Sequence, residues 1–182
     1  MKSTSSLYRT FFVAVVAILI SGCVSTHVTS KALLKNPTPI DEFVLILKTG
    51  KFQGNGGIGS GFGQRNLDSI VPHLATQLPA VFSANGIQMK LEASVFQKST
   101  EQGKAKVLVV KPMSATYSTQ SGQSLTIRAE ILDVNAASFS WYADITMHTL
   151  GFGKFDEELA NRIAVKLVNQ LREDGFVANP KL

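Results

Sequence analysis

An α+β fold is what the apolar patterning of this 182-residue chain predicts. The expected form is a two-layer sandwich: about five mixed or antiparallel strands, with two helices on one face. Three observations lead there. Two segments place apolar residues three and four apart, the mark of a helix face. Several segments alternate apolar and polar residues, the mark of a half-buried strand. Their order reads β-α-β-β-β-β-α, and two helices are too few to cover both faces of such a sheet.

Residues 42–49 (EFVLILKT) form a short run rich in β-formers and read as a central strand, buried on both faces or nearly so. Residues 50–63 hold seven glycines and read as a loop. Residues 66–84 carry Leu67, Ile70, Val71, Leu74, Ala75, Leu78, Val81 and Phe82 at helical spacing. Asp68 or Ser69 can cap this helix, and Pro72 fits its first turn. Pro79 should kink it, and Gly86 suits the left-handed stop.

Residues 87–96 alternate, with Ile87, Met89, Leu91, Ala93 and Val95 on one face. After a polar turn at 98–104, a third strand starts at Lys106 and runs past Pro112 towards Tyr117. A second turn covers 118–123. Residues 124–133 and 139–150 are long alternating strands joined around Asn135. Residues 156–174 form the second helix, with Leu159, Ile163, Leu167 and Leu171 four apart. Acids in its first turn and Arg172 in its last suit the helix dipole, and Gly175 ends it.

The last two strands have a register that can be argued. Ile131 opposite Trp141 places Ala129 against Ala143 and Ile127 against Ile145, keeping the core-facing set together. The other face then opposes Arg128 to Asp144, Thr126 to Thr146 and Glu130 to Tyr142. Opposite charges and Thr–Thr pairs stabilise a ladder by roughly 0.2–1 kcal/mol each. Trp141, alternating with Phe139, Ala143 and Ile145, reads as core. The face bearing Arg128, Glu130, Tyr142, Asp144 and His148 is expected to be wet. It is either an ordinary solvated surface or a docking face for a partner.

The amino terminus is of another kind. Lys2 and Arg9 precede an apolar run at 11–20, which ends in Ser21-Gly22-Cys23. A charged start, a short apolar middle and a small-residue end describe a secretory signal; a membrane span needs about 20 apolar residues. Cys23 is the single cysteine, so no disulfide can form within the chain. Ile20-Ser21-Gly22-Cys23 resembles the lipobox of bacterial lipoproteins. The resemblance implies cleavage of residues 1–22 and acylation at Cys23. Residues 24–39, with Ser25, Thr26, Thr29, Ser30, Pro37 and Pro39 and little periodicity, read as a tether, giving a lipidated tether over 23–40 and a periplasmic domain over 41–178. Val24 after the cysteine implies the outer membrane of a Gram-negative source.

Little points to chemistry. The net charge of +5 falls to +3 without Lys2 and Arg9. No Lys/Arg cluster marks a nucleic-acid surface. Gly54-Asn55-Gly56-Gly57-Ile58-Gly59 matches G-x-G-x-x-G, yet a helix starting near residue 67 and an acid only at Glu92 argue against a dinucleotide site. Ile58 two residues before Ser60 breaks the G-x-S-x-G elbow. His27, His73 and His148 show no H-E-x-x-H spacing, so no metal is expected. Asp144 and His148 share a strand face about 13 Å apart, too far for a dyad. Glu92 and Glu130 are a carboxylate pair only if the strand order brings them together.

Over roughly residues 40–178 the pattern also resembles small envelope lipoproteins: the auxiliary lipoproteins of ABC-type lipid-transport systems and the curli-channel lipoproteins. The likeness lies in the element order, in Ser138-Phe139-Ser140-Trp141 late in the meander, and in the closing Leu171-Arg172-Glu173-Asp174-Gly175-Phe176. It implies a non-enzymatic docking or accessory subunit of an envelope transport or assembly system, with an envelope protein as partner and no cofactor. The alternative is a small-ligand or lipid binder with a cavity between the sheet and the Pro79-kinked helix.

Overall fold

The computed structural model describes residues 24–48, 58–92, 106–118, 122–133, 138–149 and 155–179. The signal segment, Cys23, residues 50–57, the 98–104 turn and the links at 119–121 and 134–137 lie outside them. The elements are β1 (Val24–Ala32), β2 (Glu42–Leu47), α1 (Ile58–Ala84), β3 (Gln88–Leu91), β4 (Lys106–Ser118), β5 (Gly122–Asp133), β6 (Ser138–Thr149) and α2 (Glu157–Glu173). The strands form one mixed sheet in the order β1-β6-β5-β4-β2-β3. β2 is parallel to both its neighbours, and the other pairs are antiparallel.

The α+β class is as the patterning predicts, with six strands instead of about five. Both helices lie on one face. Ile70, Leu74, Leu78 and Phe82 of α1 and Leu159, Ile163, Leu167 and Leu171 of α2 share a single buried cluster with Leu45, Leu108, Ile127 and Ile145 of the sheet. These are the positions that the three-and-four spacing selects. The β5–β6 register is the one argued from the sequence, from Thr126 opposite Thr146 to Ile131 opposite Trp141.

The extra strand is β1. Its residues were expected to be a tether, but all nine pair with β6, from Val24 opposite Thr149 to Ala32 opposite Trp141. Backbone hydrogen bonding needs no apolar side chains, so a polar sequence can occupy an edge. Val28, in the middle of this strand, packs against the core. The chain beyond β1 also belongs to the domain. Leu33 N–H donates to Ser140 O (3.0 Å) and Ile40 N–H to Phe176 O (2.9 Å).

This lap explains Gly175. Its φ is +80°, and a Cβ there would meet Pro37 Cγ at 3.2 Å. Gly86 has φ +77° with nothing within 4 Å. Gly86→Ala is expected to cost only the left-handed backbone term of about 1–2 kcal/mol. Gly175→Ala should cost more, because Pro37 must also give way; urea midpoints of the two variants test the order.

Three local expectations are corrected. The first helix begins at Ile58, not near residue 66, so Asp68, Ser69 and Pro72 lie inside it instead of at its start. It runs as one element through Pro72 and Pro79. Glycine's helix penalty of about 1 kcal/mol is a weak prior that tertiary context overrides. Ser69, not a cap, donates its hydroxyl to Phe155 O (2.9 Å), tying α1 to the approach of α2.

Phe139 is the second correction. Ile131 pairs with Trp141 but Leu132 with Phe139, so Ser140 is an extra residue. Such a bulge breaks the alternation. Trp141 stays in the core, fully buried, while Phe139 turns to the other face, 46% exposed. A similar shift lies between Pro112 and Ser114 on β4, as befits a residue without an N–H.

Third, the face away from the helices is not uniformly wet. Val44, Ile46, Val107 and Val109 form a second buried cluster there, with Leu132 against it. The reading of residues 42–49 as buried on both faces agrees with the burial of Phe43, Val44, Leu45 and Ile46.

Candidate functional site

The five residues singled out from the sequence do share one face of β5 and β6, because each sits at an even position of a strand whose odd positions face the helices. Arg128 grips Asp144 with two parallel hydrogen bonds, Nε to Oδ1 and Nη2 to Oδ2, both 2.7 Å. Its guanidinium also lies 4.7 Å from the Tyr142 ring centroid. The hydrogen bonds to Asp144 hold the Arg128 pKa above its ordinary value. One turn of the ladder away, the Thr126 and Thr146 hydroxyls are 3.0 Å apart.

Two-point geometry distinguishes this ion pair from an ordinary surface one. Both side chains keep about 30% of their exposure, 28% for Arg128 and 32% for Asp144, so water still screens them. A double-mutant cycle of Arg128→Ala and Asp144→Ala is expected to give a coupling of about 1 kcal/mol, the upper end for exposed pairs. The value should fall with added salt.

Glu130 departs from the expected wet position. It faces Tyr142 in register, yet it is only 6% exposed. Lys111 on β4, which the sequence reading did not single out, approaches its carboxylate at 2.7 Å. The same ammonium lies 5.9 Å from the Phe139 ring centroid. Glu130 is thus held inside a small group with Lys111 and Phe139, and does not offer a free charge. His148 is exposed and sits opposite Ser124 and Ser25.

β1 widens this surface. His27, Thr29 and Lys31 stand opposite Thr146, Asp144 and Tyr142. The alternation in VSTHVTSKA carried that signal, with Ser25, His27, Thr29 and Lys31 on one side. The one strong apolar residue in the strand's middle made it too faint to find.

Other candidates come apart. Glu92 follows β3, and β2 and β4 separate β3 from β5. That puts Glu92 three strand spacings, about 14 Å, from Glu130. The helix opening at Ile58 starts inside the glycine motif, so the late-helix ground against a dinucleotide site does not hold. The late position of Glu92 does, and residues 54–57 lie outside the described part.

Among the described residues, one gap lies between the sheet and α1. The gap lined by Leu47, Lys48, Val71, Leu74, Val110, Lys111, Pro112 and Ile127 measures about 10 Å³, room for about one water. A hollow of about 440 Å³ lies beside Gln77, Asp156, Glu157, Glu158 and Asn161. It is acid-lined, and Gln77 Nε2 donates across it to Glu157 (2.7 Å). Among the described residues no group of His, Cys, Asp or Glu is arranged to hold a metal ion, and no helix is long and apolar enough to cross a membrane.

No protein-family model matches the sequence, and no curated protein does. Solved structures match the fold. A PelC dodecamer from Paraburkholderia phytofirmans aligns with a TM-score of 0.51 at 14% identity, over 81% of this chain and 97% of that one. Another PelC dodecamer structure from the same organism gives 0.48 at 13%, over 85% and 100%. A PDZ domain protein from Parabacteroides distasonis gives 0.43 at 7%, over 93% of this chain and 40% of that one. At 14% identity the likeness to PelC is one of fold.

Proposed function

We propose that this chain is an outer-membrane lipoprotein, anchored by acyl chains on Cys23, whose periplasmic domain is a non-enzymatic docking or accessory subunit of an envelope transport or assembly system. The observation that carries the reading is the β1-β6-β5 face. It is a largely polar surface whose charges are paired across strands, Arg128 on Asp144 and Tyr142, and Lys111 on Glu130. Pre-positioned charge and aromatic groups suit recognition of a protein surface. A ligand binder needs a cavity of some hundreds of Å³ with apolar walls; among the described residues the gap under α1 measures about 10 Å³. PelC, which shares the fold, is solved as a dodecamer, so a second copy of this chain is one candidate neighbour.

A photo-crosslinking residue at exposed His148, in cells making the acylated protein, tests this. Arg128 itself is unsuitable, since replacing it opens the ion pair. One abundant adduct with an envelope protein or with a second copy is expected, and it should weaken in the Arg128→Ala variant. No adduct at His148, together with a small molecule retained through native mass spectrometry, would replace this reading with the ligand-binding one.

A further inference from the structure

We infer that one end of the sheet rests directly on the bilayer that holds the lipid of Cys23, so that the domain stands upright on the membrane without a tether. This deepens the anchoring proposed above and rests on it. The first observation is where β1 begins. Val24 is already paired with Thr149, which is opposite Gln123, which is opposite Tyr117. These four residues form a single rank across β1, β6, β5 and β4. Cys23 is the next residue, one Cα step of about 3.8 Å away. A thioether-linked lipid at Cys23 therefore has no free chain with which to hold the domain off the headgroups.

The second observation is charge. The strand ends that meet at this rank, residues 24–30, 114–118, 122–127 and 145–149, contain no Asp, Glu, Lys or Arg; His27 and His148 are their only titratable groups apart from Tyr117. The nearest acid along these strands is Asp144, five residues from Thr149, or about 16 Å. The far end is different: Asp41 and Glu42 open β2, Asp133 ends β5, and Asp174 contacts Trp141. An anionic lipid surface repels acids within a Debye length. The strand ends beside the anchor thus carry no acid; the next acids along the chain after Thr149 are Asp156, Glu157 and Glu158, in the helix layer at the start of α2. β2 contributes nothing to the anchor rank, since it stops at Leu47 opposite Val110.

The consequence is an orientation. The strands run along the membrane normal, and the Arg128–Asp144 face looks sideways, about 16 Å above the headgroups. A partner docking there stands on, or is inserted in, the same membrane.

The test uses the mature acylated protein in vesicles of phosphatidylethanolamine and phosphatidylglycerol containing a headgroup-spin-labelled lipid. A fluorophore is placed at Thr116→Cys, next to the anchor rank, or at Lys90→Cys on β3. Both positions are exposed. They are about eight strand residues apart, or 26 Å. The acylated Cys23 thiol does not react with the dye, and the mass of the amino-terminal peptide reports acylation in the same sample. Quenching several-fold stronger at Thr116 than at Lys90 is expected. Equal quenching with Cys23 acylated would overturn the upright contact and leave the anchor intact. A Cys23 peptide without acyl mass would overturn both.

Discussion

Trp141→Ala is expected to remove about 3–5 kcal/mol of stability, the range for deleting a buried aromatic side chain. Trp141 is fully buried, and its ring lies 6.2 Å from that of Phe176. Its Nε1 donates to Asp174 Oδ2 at 2.6 Å. Asp174 is the residue that ends α2, its own N–H donating to Gln170 O. One side chain thus joins β6, the end of α2 and the segment after it. Trp141→Phe separates the contributions. It keeps most of the packing but takes one donor from the half-buried Asp174 carboxylate, which water can partly replace, at about 1 kcal/mol. Urea midpoints with unchanged slopes would confirm the order Ala, Phe, wild type from least to most stable. A Trp141→Phe loss equal to that of Ala would show that the hydrogen bond, not the ring, carries the effect.

The second large effect concerns the anchor. Under the proposed lipidation, Cys23→Ser removes the thiol that takes the diacylglyceryl group, and the expected loss of acyl mass is complete. Processing should stall with it, leaving residues 1–22 attached. Intact mass and gel migration both read this. A natural-sequence protein already lacking acyl chains would refute the anchoring reading without any variant. Two or more chains hold a protein on a membrane stably where one holds it marginally, so removing all of them should be visible in fractionation at once.

The two effects meet in β1. Its first residue is adjacent to the proposed anchor and its last, Ala32, is opposite Trp141. Under the proposed anchoring, force or orientation imposed at the membrane would enter the sheet at its edge strand, not through a slack linker. That is why the linker expectation matters beyond secondary structure: a tether would let the Arg128 face point anywhere.

Local patterning alone settles which side of each long element faces the core. Alternation in β5 and β6 has period two, so a one-residue slip would expose every apolar residue. Ala129–Ala143, Ile127–Ile145, Arg128–Asp144 and Thr126–Thr146 all agree on one register, and the structure has it. The spacing of Ile70, Leu74, Leu78 and Phe82, and of Leu159, Ile163, Leu167 and Leu171, likewise named the buried helix faces. Tertiary structure decided what local period cannot encode. β1 is a strand because the edge of β6, more than a hundred residues later, supplies its hydrogen-bond partners. Phe139 leaves the core because Ser140 adds one residue to β6. Glu130 is buried because β4 lies beside β5 and brings Lys111 to it. Facing is a local property of the chain; neighbourhood is not, and pairing, bulges and charge partners all depend on neighbourhood.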